Sequence, residues 1–298
     1  MNKIILSGIL LCMTSSAFSR PSQTIPSMDE QVSQFYDIQQ TDMTYGDRAL
    51  RIYSAVPYNV TAQRPILYML DGNGLYPKAV NRAVEKLPAD KLPIIIGIGY
   101  PIDEAFPKAW RTYDYTPPVA GDEFKQGGGS PVAGDEFKQG GGSPALYQFL
   151  TDTIRPWAEK QFPIDKSKQT LFGHSFGGLF TLMAYQQQPD DFQFYVSASP
   201  SLWWGKGSMV DLAKLTAKQA ASPLFVTLGG LEESPDLSKL SAEQVQNYQA
   251  RKSWISTRQV CTEIANHQRH CEFRLFDGKN HGSVIPDAID KALDVASQ

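Results

Sequence analysis

Short apolar runs alternate with amphipathic stretches along most of this chain. Runs suited to buried strands stand at 50–56, 65–70, 93–98, 169–172, 194–198, 224–228 and 272–276. Between most of them apolar positions recur at helical spacing, over 77–85, 145–162, 177–187, 210–220, 242–267 and 286–296. This alternation predicts an α/β fold with a mostly parallel sheet and helices on both faces, in which ligands bind beyond the carboxyl ends of the strands. Residues 20–298 read as a single domain of this kind, and 298 residues are enough to bury a full core.

One junction between strand and helix carries chemistry. Thr170, Leu171 and Phe172 suit a buried strand, and Phe176 opens an apolar helix; between them Gly173-His174-Ser175-Phe176-Gly177 fits G-x-S-x-G. The pattern alone recurs by chance, and the strand before it and helix after it give it weight. At such an elbow a serine is held on strained backbone with its hydroxyl above the sheet. Glycines at the flanking positions let strand and helix approach closely. Ser175 is therefore the candidate nucleophile.

A serine hydroxyl needs a base, and the chain has four histidines. His174 is the variable residue of the elbow, and His267 and His270 lie in a polar helical end. His281 follows the strand 272–276 and precedes the last helix. That is the place of the base in an α/β-hydrolase, whose triad runs serine, acid, histidine along the chain. The acid is expected after the strand 224–228, where LGGLEESPD offers Glu232, with Glu233 and Asp236 as fallbacks or helix caps. Of the two backbone donors an oxyanion hole requires, Phe176 supplies one. The loop Asp71-Gly72-Asn73-Gly74 after the strand 65–70 supplies the other, at Asn73.

The remaining features concern compartment and periphery. Lys3, an apolar run over 4–13 and Ala17-Phe18-Ser19 predict a cleaved signal peptide over 1–19, too short to anchor in a bilayer. The mature chain is expected to be periplasmic or secreted, without a membrane anchor. Cys261 and Cys271 remain, and in an oxidising compartment they are expected to form a disulfide; a zinc site with His267 and His270 is the rival. Net charge is −3 with dispersed charges, which gives no basic block for nucleic acid. PVAGDEFKQGGGS occurs at 118–130 and again, unchanged, at 131–143. It reads as a duplication that lengthened a Gly-rich surface loop, or as a flap over the pocket.

Six stretches in order, YMLDGNGLYP, RTYDYTPP, GGGS leading into ALYQFL, LFGHSFGGLF, SASPSLWW and NHGSVIP, resemble the esterase-D-like branch of the α/β-hydrolases. Within it they are most similar to periplasmic hydrolases of trilactone siderophores such as enterobactin and salmochelin. The resemblance covers residues from about 40 to the C-terminus. It implies carboxylic-ester hydrolysis with Ser175 as nucleophile, His281 as base and oxyanion donors at Asn73 and Phe176. Some members rely on a Ser–His dyad, which leaves the acid open. No metal or organic cofactor is implied, and the partner is a small-molecule ester, including a ferric siderophore.

The siderophore enzymes carry a second arginine where this chain has Tyr113, between Arg111 and Asp114. Gly72, Arg111, Trp203 and Trp204 are the candidate substrate contacts, and Arg111, Lys206 and Lys279 could make up for the missing cation. A general acyl or carbohydrate esterase is the alternative substrate class. A non-catalytic binding protein on the same fold is the alternative function.

Overall fold

The computed structural model describes residues 22–58, 62–119, 140–218 and 222–298. The leader expected over 1–19, and residues 120–139 of the duplicated stretch, lie outside the described residues.

Eight strands among the described residues form one sheet in the order β1-β2-β4-β3-β5-β6-β7-β8. They are β1 (Tyr36–Tyr45), β2 (Arg48–Pro57), β3 (Arg64–Met69), β4 (Ile94–Gly99), β5 (Ile164–His174), β6 (Phe194–Ala198), β7 (Leu224–Gly229) and β8 (Cys271–Phe276). β1 and β2 form an antiparallel hairpin, β2 lies antiparallel to β4, and every other pair is parallel. This is the mostly parallel α/β sheet that the alternation of runs predicts, and the α/β-hydrolase architecture that the resemblance implies.

The central parallel strands are mainly apolar where both of their faces are covered, in β4, β6, β7 and the later halves of β3 and β5. Ile66 and Tyr68 of β3 point into one core layer, with Leu179, Phe180 and Leu182 of the helix Phe176–Gln187. Leu67 and Met69 point into the other, with Ala79 and Val80 of the helix Gly72–Lys86 and Ile289 and Leu293 of the helix Ile285–Ala296. The chain leaves β3 for β4 on one side and returns to β5 on the other. The carboxyl ends of β3 and β5 therefore flank a topological switch point, where α/β sheets open a crevice.

The elements depart from the sequence pattern most clearly in four places. β1 was not among the expected strands: it is the sheet edge, and most of YDIQQTDMTY faces solvent, so no apolar run marks it. A helix, Lys108–Tyr115, occupies the RTYDY stretch. The helix expected over 242–267 is two, Ala242–Ala250 and Thr257–Asn266, each begun by a reciprocal cap, Ser241 with Gln244 and Ser256 with Gln259. The helical stretch from Ser143 to Gln161 contains a π turn, Leu150–Ile154, just ahead of Pro156, whose ring nitrogen has no proton to donate back along the helix.

Cys261 and Cys271 are joined by a disulfide, with Cα atoms 5.3 Å apart, which ties the helix Thr257–Asn266 to β8. His270 instead packs at a tilt against Phe225 and His267 bonds the Glu263 carbonyl. No group of His, Cys, Asp and Glu that could hold a metal is found among the described residues.

Candidate active site

Asp71, Ser175 and Ser199 each lie just past the end of a parallel strand, β3, β5 and β6, and each has positive φ, at 55°, 62° and 42°. For residues with a Cβ this backbone is costly, on the order of 1–3 kcal/mol each, and it persists only where the surroundings impose it. At Ser175 they do. Its N–H donates to the Ala198 carbonyl at 3.0 Å, and its own carbonyl accepts from Leu179 at 3.0 Å and Ser201 at 3.1 Å. A Cβ on Gly173 would lie 2.1 Å from the Gly177 carbonyl oxygen, and one on Gly178 2.5 Å from that of Ala198. The turn can close only with glycine there. Gly177 itself is less confined, its nearest contact being 3.4 Å.

The elbow brings Ser175 Oγ to 3.0 Å from His281 Nε2. His281 Nδ1 lies 2.6 Å from Glu232 Oε2. In the tautomer that satisfies all three, Nδ1–H donates to the carboxylate and Nε2 accepts the serine proton. Burial by itself would raise the Glu232 carboxyl, but the facing His281 and the hydrogen bonds from His281, Ser199 and the Gly229 N–H outweigh it and hold the group below its ordinary value. Glu232 is thus an acceptor at neutral pH. The two fallback carboxylates are engaged elsewhere: Glu233 pairs with Arg258, and Asp236 caps the turn at Ser238.

His174 packs its ring on that of His281, centroids 4.6 Å apart, and its Nε2–H donates to the His281 carbonyl at 3.0 Å. Burial first, then the neighbouring His281 and Arg111, push its pKa well below the usual imidazole range. It is a neutral spacer that fixes the backbone carrying His281.

Asn73 and Phe176 open the helices Gly72–Lys86 and Phe176–Gln187, so both N–H groups stand in first turns, at the positive ends of the helix dipoles. The Asn73 side chain laces the two loops together. It donates to the carbonyls of Tyr100 and Ile102 at 2.9 and 2.8 Å and accepts from the Tyr100 N–H at 2.8 Å. Gly72 is a packing glycine, because a Cβ there would come within 2.8 Å of the backbone at Gly97.

The expected substrate contacts divide. Trp204 is buried and donates to the Pro117 carbonyl, so it is core. Trp203 is half-buried against Phe176, ring centroids 5.6 Å apart, with Arg251 over its ring. Arg111 grips the buried Asp71 carboxylate with two bonds of 2.7 and 2.8 Å, which makes it a brace of the turn that leads into Gly72 and Asn73. Lys279 pairs with Asp287, and Lys206 is half-buried on a left-handed turn. Tyr113 faces a cleft of about 440 Å³ with Arg48, Ala109 and Trp110, and the Arg48 guanidinium lies over both aromatic rings. The braces Asp71, Ser199 and Ser201 were not anticipated from the sequence. Their one signal is position, immediately beyond strand ends, where α/β sheets bind ligands.

Residues 43–281 match the family described as "Putative esterase". The chain belongs to this esterase family. Its curated relatives include the ferri-bacillibactin esterase BesA of Bacillus subtilis, 31% identical over 77% of this chain and 77% of that protein. They also include the siderophore enterobactin esterase of Emericella nidulans, 30% identical over 76% and 80%, and the apo-salmochelin esterase of Escherichia coli, 35% identical over 71% and 66%. Among solved structures of this esterase family's fold, the enterobactin hydrolase IroE in complex with DFP superposes with a TM-score of 0.66 at 27% identity, covering 91% of this chain and all of the other. The BES protein of Bacillus cereus does so at 0.69 and 27%, covering 88% and 96%.

Proposed function

We propose that this chain is an exported serine esterase that hydrolyses siderophore esters, trilactones among them, through an acyl-enzyme. The observation that carries the reading is the continuous relay from Ser175 through His281 to Glu232, at 3.0 and 2.6 Å, on a strained strand-to-helix elbow. Relatives named for ferri-bacillibactin, enterobactin and salmochelin support the substrate class.

Ser175 Oγ attacks the ester carbonyl carbon while His281 Nε2 takes its proton. The carbonyl oxygen, now negative, is received by the N–H groups of Asn73 and Phe176. Collapse breaks the bond to the leaving alkoxide, which takes the proton from His281. Water then attacks the acyl-enzyme by the same route, and the carboxylic acid and free Ser175 result. Glu232 keeps the imidazole in the required tautomer and stabilises the imidazolium. Trp203, beside Phe176, offers an aromatic wall to the substrate. No helix among the described residues is long and apolar enough to cross a membrane.

The test is chromatography with mass detection of iron-free and ferric enterobactin after incubation with the purified protein and with Ser175→Ala. Opening to linear products by the parent alone is the expected result. Intact trilactone beside clear turnover of a small aryl acetate would retain the esterase and remove the siderophore.

A further inference from the structure

Ser201 lies two residues past the strained Ser199 and is stapled to the nucleophile twice. Its N–H donates to the Ser175 carbonyl at 3.1 Å, and its Oγ lies 3.2 Å from Ser175 Oγ. The side chain is buried, with 3% exposure, and a buried hydroxyl requires a partner; the hydrogen bond found for it is the one to Ser175.

Proton bookkeeping fixes the direction of that bond. Ser175 Oγ carries one proton, which must point to His281 Nε2, because Nδ1 already spends its proton on Glu232. Ser201 is then the donor and Ser175 Oγ the acceptor. A hydroxyl so placed does two things. It holds the Ser175 side chain in the rotamer that faces the base. It also meets negative charge that develops on Oγ itself rather than on the carbonyl oxygen.

We propose that Ser201 is a catalytic residue, a hydrogen-bond donor to Ser175 Oγ that assists both attack and departure of the nucleophile. This rests on the serine-esterase reading above. In acylation the Oγ–H bond breaks to His281 as the Oγ–carbon bond forms, and Ser201 stabilises the partial alkoxide between the two events. Once the ester has formed, its bridging oxygen is a weak acceptor and the bond slackens. In deacylation, water has added and its proton is on His281. The carbon–Oγ bond then breaks, the electron pair returns to Oγ, and Ser201 donates to it again before His281 returns the proton. Because the carbonyl oxygen has its own donors, Ser201 acts on a different atom from Asn73 and Phe176.

The experiment compares the parent with Ser201→Ala and Ser201→Thr. It measures the second-order rate of Ser175 labelling by a fluorophosphonate, the pre-steady-state burst and the subsequent turnover of an aryl acetate, and the urea midpoint. Ser201→Ala is expected to slow labelling, acylation and deacylation together by about 10- to 100-fold, less than the loss of a full oxyanion donor. KM corrected for the rate-limiting step and the urea midpoint should stay near those of the parent. Ser201→Thr, which keeps the hydroxyl, should recover part of all three rates. A purely structural role would move the midpoint and leave the rates of the folded fraction alone. If Ser201→Ala does not fold, Ser201→Cys, which keeps the volume with a weak donor, is read in the same way. Rates within twofold of the parent in a folded Ala or Cys variant would overturn the proposal. A parent that neither labels nor turns over would overturn the esterase reading and this role with it.

Discussion

Ser199 donates its hydroxyl to Glu232 Oε1 at 2.7 Å, from backbone held at a φ of 42°. The other oxygen of the same carboxylate faces His281, so the acid is fixed from both sides. The end of β6 thereby sets the orientation of a group that arrives on the loop after β7. Ser199→Ala removes one of the two bonds to Oε1 and leaves the one from Gly229, at 2.9 Å. We expect kcat/KM for an aryl acetate to fall about 3- to 10-fold, in keeping with roughly 1 kcal/mol for such a bond. Glu232→Gln, which cannot hold the imidazole tautomer, should cost on the order of 10²–10⁴-fold. Full activity in Glu232→Gln would mean that His281 works as the base of a dyad.

Asp71 and Arg111 form the second brace. The Asp71 carboxylate is fully buried, its N–H donates to the Tyr115 hydroxyl, and Arg111 closes on it with a forked pair. Breaking such a pair on one side leaves an uncompensated buried charge, which costs about 3–5 kcal/mol. Arg111→Ala should therefore lower the urea stability by that order, and should slow fluorophosphonate labelling as the Asn73 N–H loses its placement. Arg111→Lys keeps the charge and loses the fork, and should fall between. A stable, siderophore-specific defect in Arg111→Ala would instead make Arg111 a ligand contact.

Particular residues show how far the sequence could be read. Strands buried on both faces announce themselves as apolar runs, so the parallel part of the sheet was legible, whereas β1 carries no such run because water covers its outer side. The juxtaposition of Ser175 with His281 was legible because a glycine-flanked elbow and a histidine after the last strand have few other uses. The choice among Glu232, Glu233 and Asp236 was not. It depends on Gly229, where a Cβ would stand 2.5 Å from the Lys279 carbonyl, and whose N–H takes Glu232 into the capping position. Trp203 and Trp204 are equally apolar as letters. Only the left-handed turn at Gly205 and Lys206 that follows, and the Pro117 carbonyl, separate the half-buried ring from the core one.

The Cys261–Cys271 bridge closes a short loop between a helix and the strand that leads to His281. On the chain-entropy account it contributes about 3 kcal/mol by restricting the unfolded chain. Reduction, or Cys261→Ser with Cys271→Ser, should lower the thermal midpoint by several degrees. The relay itself lies beyond the carboxyl end of the sheet, so kcat below the transition should change less than twofold. Thermal scans with and without reductant, with activity followed in parallel, check both parts. A large loss of kcat at a temperature where the reduced protein is fully folded would show that the bridge also positions the His281 loop.

Asp114 supplies a pH dependence whose sign can be worked out. Its carboxylate is buried, with Arg48 at 3.4 Å and no hydrogen bond of ordinary geometry to either oxygen. Burial raises its pKa from 3.8 to about 6, and the Arg48 charge and nearby Tyr100 hydroxyl offset only part of the rise. The folded state therefore holds a proton that the unfolded chain has already released between about pH 4 and pH 6. Stability is greatest below that window, falls as pH rises through it, and is level above it with respect to this group. The shift corresponds to roughly 2–3 kcal/mol as an upper figure. Asp114→Asn abolishes the titration, while Arg48 keeps its stacking on Trp110 and Tyr113. Between pH 4.5 and pH 7.5 the urea stability of Asp114→Asn should therefore rise more, or fall less, than that of the parent, by up to about 2 kcal/mol, with the variant's gain at the higher pH. An equal pH difference in the two proteins would mean that Asp114 is ionised in the fold at both pH values, with Arg48 compensating it in full.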